Sequence, residues 1–357
     1  MEGSESAEKK ILVVDDSNFN LKVASDLLRK IAKPILVPSG ERALLFLQKN
    51  RPDLILLDIN MPEMNGFDVM KKIMENPDWK EIPVIFLTAN QDTETEVECF
   101  KLGAVDFIVK PFQPEVVLHR VNRALEMEDY RRNLHGIIDQ KAKQIEMMQY
   151  EIIIGLANLI EDRDGGTGEH VKRTSQYVSL LAMAAQERGL FDGRLTEQYV
   201  YNLIKAAPMH DIGKIAVPDA ILQKPGKLTD EEFEVMKTHT TEGGRIVWNT
   251  LEFLEDADYL KIAFNVAKYH HERWDGRGYP DRLKGEEIPL EARFMALADV
   301  FDALSTKRCY KDAFPLDKVY AIISEGSGTQ FDPILADLFC QLRSETEAIL
   351  LDFGESI

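Results

Sequence analysis

Residues 11–16 read ILVVDD, four apolar residues closed by two carboxylates. A run this short and this apolar suits a strand buried on both faces, as strands of parallel sheets are. The same pattern returns as LILL at 54–57 before Asp58, VIFL at 84–87 before Thr88, and DFIV at 106–109 before Lys110. Helical patterns separate these runs, among them residues 18–31 and 41–49. Strands alternating with helices predict an α/β unit, a doubly wound parallel sheet with helices on both faces.

In such sheets chemistry gathers at the carboxyl ends of the strands. Asp15, Asp16, Asp58, Thr88 and Lys110 all fall there. Three converging carboxylates repel one another unless a hard cation such as Mg²⁺ joins them. The cation and Lys110 would neutralise an incoming phosphoryl group, leaving Asp58 to act as nucleophile and form an aspartyl phosphate. A single strand-end Asp is ordinarily a turn or cap residue; five polar residues in this order are not explained that way.

These residues carry a resemblance. From VVDDS through LLDINMPEMNGF and LTA to DFIVKPF, residues 9–126 resemble the receiver (flavodoxin-like) domain of two-component response regulators. The resemblance implies Asp16 and Asp58 as direct Mg²⁺ ligands, the carbonyl of Asn60 as a third, and Asp15 acting mainly through water. It implies Thr88 and Lys110 as phosphoryl-binding groups, Phe107 as the switch aromatic, a cis Lys110–Pro111 bond, and a cognate sensor histidine kinase as partner.

Between Pro114 and Arg163 the only glycines are Gly136 and Gly155, and no proline interrupts the segment. Apolar residues at Leu134, Ile138, Ile145, Met148, Ile152 and Leu159 recur by threes, fours and sevens. One long helix follows, with residues 127–150 as a linker able to pair in a homodimeric coiled coil; packing of the stripe on the chain's own domains is the alternative. Beyond Gly165 the pattern is helical almost throughout, with loops at 188–195, 216–228 and 272–289. Thr229-Asp-Glu-Glu232 is a capping box opening one of these helices.

The chain holds seven histidines. His119 and His135 lie on the linker segment without acidic partners and read as solvated. His170, His210, His239, His270 and His271 fall in the helical half with Asp211, adjacent to His210, and Asp299. A lone histidine is usually structural, but the pairs His210-Asp211 and His270-His271 point to ligation. Imidazoles with carboxylates and no thiolate suit iron, manganese or zinc. The set is too large for one ion and fits two, with Asp211 as the natural bridge. Paired ions stabilise both the attacking and the leaving oxygen in phosphoester hydrolysis, so phosphodiesterase chemistry leads. The glycine-rich turn DGRGYP at 275–280 allows close approach to a ligand, though by itself it reads as an ordinary turn.

RDGGTGEH (163–170), HDIGK (210–214), KTH (237–239), HHERWDGRGYP (270–280) and ADVFDALSTKRCYK (298–311) together resemble the HD-GYP family of cyclic di-GMP phosphodiesterases, over residues 151–345. The resemblance implies an all-α HD-type bundle and a metal-dependent hydrolase yielding pGpG, with GMP as a further product. It implies His170, His210, Asp211, His239, His270, His271 and Asp299 as ligands of two transition-metal ions, iron or manganese first, zinc or nickel otherwise. Lys214, one turn beyond His210, would meet the scissile phosphate or the bridging hydroxide, with Asp211 as its catalytic companion. Arg308 and Lys311 would hold the other phosphate and part of the base, and Gly278, Tyr279 and Pro280 would line the substrate. Some members carry a glutamate four residues before the first ligand histidine that completes a three-metal site; here that position is Gly166. Two metals are therefore expected, and linear pGpG stays open as a substrate. A module that binds cyclic di-GMP or partner proteins without turnover is the competing class; a general nucleotidase is disfavoured by DGRGYP and the double histidine.

Composition narrows the rest. Lys and Arg number 43 against 61 Asp and Glu, a net charge of −18. That field repels nucleic acid and anionic lipid, and no basic segment offsets it, so DNA is not an expected partner. No apolar run reaches membrane-helix length, and no signal-peptide pattern opens the chain. Three unpaired-spacing cysteines, Cys99, Cys309 and Cys340, fit a reducing compartment, so a cytoplasmic protein is expected.

Overall fold

The computed structural model describes residues 8–89, 93–164, 169–253, 256–307 and 313–354. The chain divides into two compact units, Met1–Lys143 and Gln144–Ile357.

In the first unit, strands β1 (Lys10–Val14), β2 (Lys33–Val37), β3 (Leu54–Asp58), β4 (Val84–Thr88) and β5 (Asp106–Val109) form one parallel sheet of order β2-β1-β3-β4-β5. Helices α1 (Asn18–Leu28), α2 (Gly40–Leu47), α3 (Gly66–Glu75), α4 (Thr93–Lys101) and the start of α5 (Pro114–Arg163) cover it. Alternate strand residues point to opposite faces. Leu12, Val14, Ile55, Leu57 and Phe86 therefore pack with Ala43, Val69 and Ile73 of α2 and α3. Ile11, Val13, Leu56, Ile85 and Leu87 pack with Leu21 and Leu28 of α1 and Val117 and Val121 of α5. Burial on both faces is why these strands read as unbroken apolar runs.

β2 was not singled out by its sequence, KPILV, because it is the edge strand. It is only partly buried, and Pro34 is tolerated where one side of the strand has no neighbour to receive its missing N–H. The reversal of strand order lies between β1 and β3, so the crevice outside their carboxyl ends is where Asp15 and Asp58 emerge.

The second unit is helical. The end of α5 is followed by α6 (Glu169–Glu187), α7 (Glu197–Ala206), α8 (Asp219–Leu222), α9 (Asp230–Leu251), α10 (Ala257–Tyr269), α11 (Leu290–Ser305), α12 (Leu316–Glu325), α13 (Pro333–Gln341) and α14 (Arg343–Asp352). α11, LEARFMALADVFDALS, is buried on nearly all sides and forms the centre of the core, as its largely apolar circumference requires. Phe301 of α11 meets Tyr177 and Phe339 edge-on, with ring centroids 5.0 and 4.9 Å apart. α9 opens on the capping box read from sequence: the Thr229 hydroxyl accepts from Glu232 N–H, and the Glu232 carboxylate accepts from Thr229 N–H.

α5 runs unbroken from Pro114 to Arg163, the extent expected. Leu134, Ile138, Ile145, Met148, Ile152 and Leu159 are all exposed along it. No helix among the described residues is long and apolar enough to cross a membrane.

Candidate functional site

In the first unit, the ends of β1, β3, β4 and β5 bring the five polar residues together. Asp15, Asp58 and Thr88 are 1%, 3% and 2% exposed, while Asp16 is exposed. Lys110 reaches in from β5 and places Nζ 2.7 Å from Asp15 Oδ2 and 2.8 Å from Asp58 Oδ2. Asp15 Oδ1 also accepts from Ser17 N–H at 2.9 Å and from the Asn20 amide at 3.1 Å, which fixes its carboxylate at the start of α1. Oxygens of Asp15, Asp16 and Asp58 approach within 4.8 Å of one another, a cation-sized grouping. Burial raises the Asp58 carboxyl above its ordinary range; the Lys110 ammonium works against that rise. The Asn60 N–H donates to Asp58 Oδ1 at 3.4 Å. Phe107 is half-buried, its ring 6.0 Å from Phe100 and 5.3 Å beneath the Arg120 guanidinium. The Lys110–Pro111 peptide is cis, as expected, and so is Tyr279–Pro280.

In the second unit, five separate elements deliver the histidines and acids to one place. His170 is the second residue of α6, and Asp299 lies on α11. His210 and Asp211 sit between the 3₁₀ turns Ala207–Met209 and Ile212–Ala216, the second of which carries Lys214. His239 lies on α9, and His270-His271 close α10. All seven proposed ligands fall into two groups: Asp211, His239, His270 and His271, and then His170, His210 and Asp299. Asp211 faces both. Its Oδ1 is 3.5 Å from His239 Nε2 and 3.7 Å from His270 Nε2, and its Oδ2 is 3.4 Å from His210 Nε2.

The outward nitrogens explain this orientation. Nδ1 of His210, His239 and His270 lies 3.0, 2.7 and 3.0 Å from the carbonyls of Ala207, Met236 and Val266. With the proton there, each Nε2 is left bare toward the site, the arrangement a metal ligand needs. Asp211 Oδ1, His239 Nε2 and His270 Nε2 are buried and make no hydrogen bond among the described residues. Orphaned buried polar atoms are costly, and a cation among them would satisfy all three at once. The donor set fits a transition metal on that observation.

Charge follows geometry. Burial alone would raise the Asp211 carboxyl, but Lys214 and His210 override it and hold it well below the usual range. Burial would lower His210, and the Asp211 carboxylate reverses that shift. Burial pushes His239 down to about 4 and His271 well below the ordinary imidazole value, so both are neutral near pH 7 and ready to coordinate.

Lys214 Nζ is 2.8 Å from Asp211 Oδ2 and 2.6 Å from Asp164 Oδ2. Burial would lower the ammonium, yet these two carboxylates raise it, so it stays charged. His170, Asp211 and Lys214 line a cleft together with Ala157, Ile160 and Glu161 from the end of α5. The turn 275–280 folds back on its own start. A Cβ on Gly278 would stand 2.4 Å from Arg273 N and 2.5 Å from Glu272 Cα, so this close return of the backbone requires glycine. The return lets Tyr279 N–H donate to His271 C=O at 3.2 Å and lays its ring 4.9 Å from the His271 ring. Gly278 and Pro280 flank it.

Arg308, Lys311 and Gly166 lie outside the described residues. His119 and His135 are exposed on α5, as read. Sequence reasoning missed Asp164, Asp302, Arg173 and Gly213. Asp302 was within reach, since it stands one helical turn after Asp299.

A phosphoacceptor-type α/β unit followed by a helical unit with a histidine–aspartate cluster defines a signalling response regulator with an HD-type output. Family models agree: one described as the response regulator receiver domain matches residues 11–122, and one described as an HD domain matches residues 156–335. A probable cyclic di-GMP phosphodiesterase of Vibrio cholerae serotype O1 is 40% identical over 338 residues, spanning 92% of this chain and 76% of the relative. The cyclic di-GMP phosphodiesterase response regulator RpfG of Xanthomonas campestris pv. campestris is 35% identical over 354 residues, spanning 96% and 90%. Among solved structures, the chemotaxis protein CheY4 of Vibrio cholerae is 34% identical, covering 33% of this chain and 99% of its own, with a TM-score of 0.32. The chain belongs to the family of response regulators that join an N-terminal receiver domain to a C-terminal HD domain.

Proposed function

We propose that this chain is a cytoplasmic, metal-dependent phosphodiesterase that hydrolyses cyclic di-GMP to pGpG, under control of phosphorylation at Asp58 by a sensor histidine kinase. In this reading residues 9–126 receive the phosphoryl group, 127–150 link, and 151–345 catalyse. The observation that carries it is Asp211: its two oxygens face two separate ligand groups, and Oδ1 is buried without a hydrogen-bond partner among bare imidazole nitrogens. The names of the relatives supply the substrate class.

His170, His210 and Asp299 would hold one ion, and His239, His270 and His271 the other, with Asp211 shared. Such a pair supplies Lewis-acid stabilisation of both oxygens in phosphoester displacement. The chain's own groups do the rest. Lys214 holds a partly buried positive charge at the rim of the cluster, where it neutralises charge gathering on the scissile phosphate. Tyr279, fixed against His271, together with Gly278 and Pro280, shapes the edge over which a nucleotide enters. Arg308 and Lys311 offer cations for the second phosphate in a chain whose overall field is negative. In the receiver unit, Asp15, Asp16 and Asp58 with the Asn60 carbonyl would hold Mg²⁺, while Lys110 and Thr88 take the phosphoryl oxygens and Phe107 responds.

The exposed apolar stripe of α5 supports a homodimer through the linker helix. The deciding experiment is turnover of cyclic di-GMP and of pGpG by chain reconstituted with iron or manganese. Cleavage of the cyclic substrate supports this reading. Metal uptake with cyclic di-GMP binding but no turnover would make the chain an adaptor, and cleavage of pGpG alone would reassign its substrate.

A further inference from the structure

Three of the ligand histidines are aimed by a carbonyl of the backbone three or four residues earlier. His170 has no such support from its own helix. It is the second residue of α6, so the positions three and four earlier precede the helix. Its Nδ1 instead meets Asp302 Oδ2 at 2.7 Å, across from α11. We propose that Asp302 is a positioning residue: it fixes the His170 ring so that Nε2 faces Asp299 and His210. The inference deepens the binuclear reading given above and rests on it.

The arrangement is a square of two helix pairs. His170 and Arg173 are neighbours at i,i+3 on α6, and Asp299 and Asp302 are neighbours at i,i+3 on α11. One helix contributes a ligand and a cation; the other contributes a ligand and the carboxylate that orients the first. Asp302 is 1% and Arg173 3% exposed. Arg173 Nε lies 2.6 Å from Asp302 Oδ1 and Nη2 3.0 Å from Oδ2, so the guanidinium grips both oxygens. That bidentate grip fixes the plane of the carboxylate and compensates its charge in the core. Fixed on one side, Asp302 can fix the imidazole on the other. His170 Nε2 then stands 3.5 Å from Asp299 Oδ1 and 3.3 Å from His210 Nε2, where the three share one ion. A carboxylate behind an imidazole also makes its far nitrogen a stronger donor than a carbonyl does.

The test is Mn²⁺ binding by the full chain, native and Asp302→Asn, titrated against a competing chelator. With excess Mg²⁺ present to fill the Asp15, Asp16 and Asp58 group, native chain should bind two equivalents. Asp302→Asn should weaken one of them about 10–100-fold, the usual cost of losing such a partner, and leave the other at native affinity. A merely structural role would loosen both or neither, so two unaltered equivalents, or two weakened equally, would overturn the inference. Native chain that takes up no Mn²⁺ would instead sink the binuclear reading itself. A second measurement needs no folded variant at position 302: the histidine ¹⁵N spectrum of the metal-free native chain, with His170 assigned by its loss in His170→Gln. The proton should sit on Nδ1; a bare Nδ1 with the proton on Nε2 would refute the assignment.

Discussion

Lys214 and Asp164 are ion-paired at 2.6 Å, which ties the 3₁₀ turn after the His210-Asp211 pair to the residue that follows α5. Arg163 reinforces the tie, donating to Asp219 Oδ1 at 2.6 Å and to Ile215 C=O at 3.3 Å. The ammonium is thus held by Asp164 and Asp211 together and is not a mobile surface charge. Lys214→Ala should leave metal content unchanged and cut turnover by about 10²-fold or more, the scale of a lost transition-state charge stabiliser. Asp164→Ala, which leaves Lys214 with Asp211 alone, should cost less. Side-by-side kcat and elemental analysis check both, and native turnover in Lys214→Ala would reduce the residue to a structural role.

The parts legible in sequence were those with a local signature. Strands buried on both faces announce themselves as apolar runs, and α5 as an unbroken periodicity. β2 hid because an edge strand needs only partial burial and accepts Pro34. The candidate ligands were legible because adjacent His-Asp and His-His pairs are rare chemistry. Asp302, Arg173 and Asp164 were not, because an aspartate or arginine takes its meaning from a partner 129, 129 or 50 residues away. Only the folded chain supplies that partner. Gly278 was legible as a turn residue, but its purpose, a close backbone return, was not.

Asp58 should be the sole phosphoacceptor. It closes β3 beside Asp15 with Lys110 at 2.8 Å, and among the described residues Lys110 otherwise pairs with Asp15, which Ser17 and Asn20 already engage. Incubation with a small phosphodonor and Mg²⁺ should add one acid-stable, base-labile phosphoryl group per chain by intact mass. Asp58→Asn should add none.

Metal stoichiometry follows from the two ligand groups. Native chain should hold two transition-metal ions. Asp211→Ala removes the side chain facing both groups and should empty both sites, whereas His170→Ala should leave the His239, His270 and His271 group partly occupied. Elemental analysis after anaerobic iron or manganese loading reads this directly. With Mg²⁺ present to fill the Asp15, Asp16 and Asp58 group, three transition-metal ions in the native chain would contradict the expectation drawn from Gly166.

Gly213 predicts a stability effect that chemistry at the site does not. A Cβ there would stand 1.9 Å from His239 C=O and 2.4 Å from Gly243 N, so the turn carrying Lys214 packs backbone to backbone on α9. Gly213→Ala must push the two apart. Overpacking of a tight core costs about 1–3 kcal/mol, which for a unit of this size lowers Tm by roughly 2–4 °C per kcal/mol. The same shift displaces His239, so metal affinity should fall with Tm. Calorimetry that finds Gly213→Ala as stable as native would show that the close approach relaxes at no cost.

The last prediction concerns α5. The helix carries Val117 and Val121 in the receiver core and, at its far end, Ala157, Ile160 and Glu161 on the wall of the cleft that holds His170, Asp211 and Lys214. A phosphoryl group on Asp58 would draw on Thr88 and Lys110 and alter the packing around Phe107 and Arg120, the latter on α5 itself. A change of helical phase or position could therefore bear on Arg163 and Asp164, and through the 2.6 Å pair on Lys214. Coupling between two sites usually amounts to about 1–3 kcal/mol, or 5–150-fold. Phosphorylation should change turnover within that range, in either direction. Three residues inserted after Gly136, where an added Cβ meets nothing within 4 Å, advance the helical phase by about 300°, since each residue turns the helix about 100°. The insertion should abolish the response while both metal sites stay filled. An insertion variant that answers phosphorylation as native chain does would exclude transmission through a continuous α5.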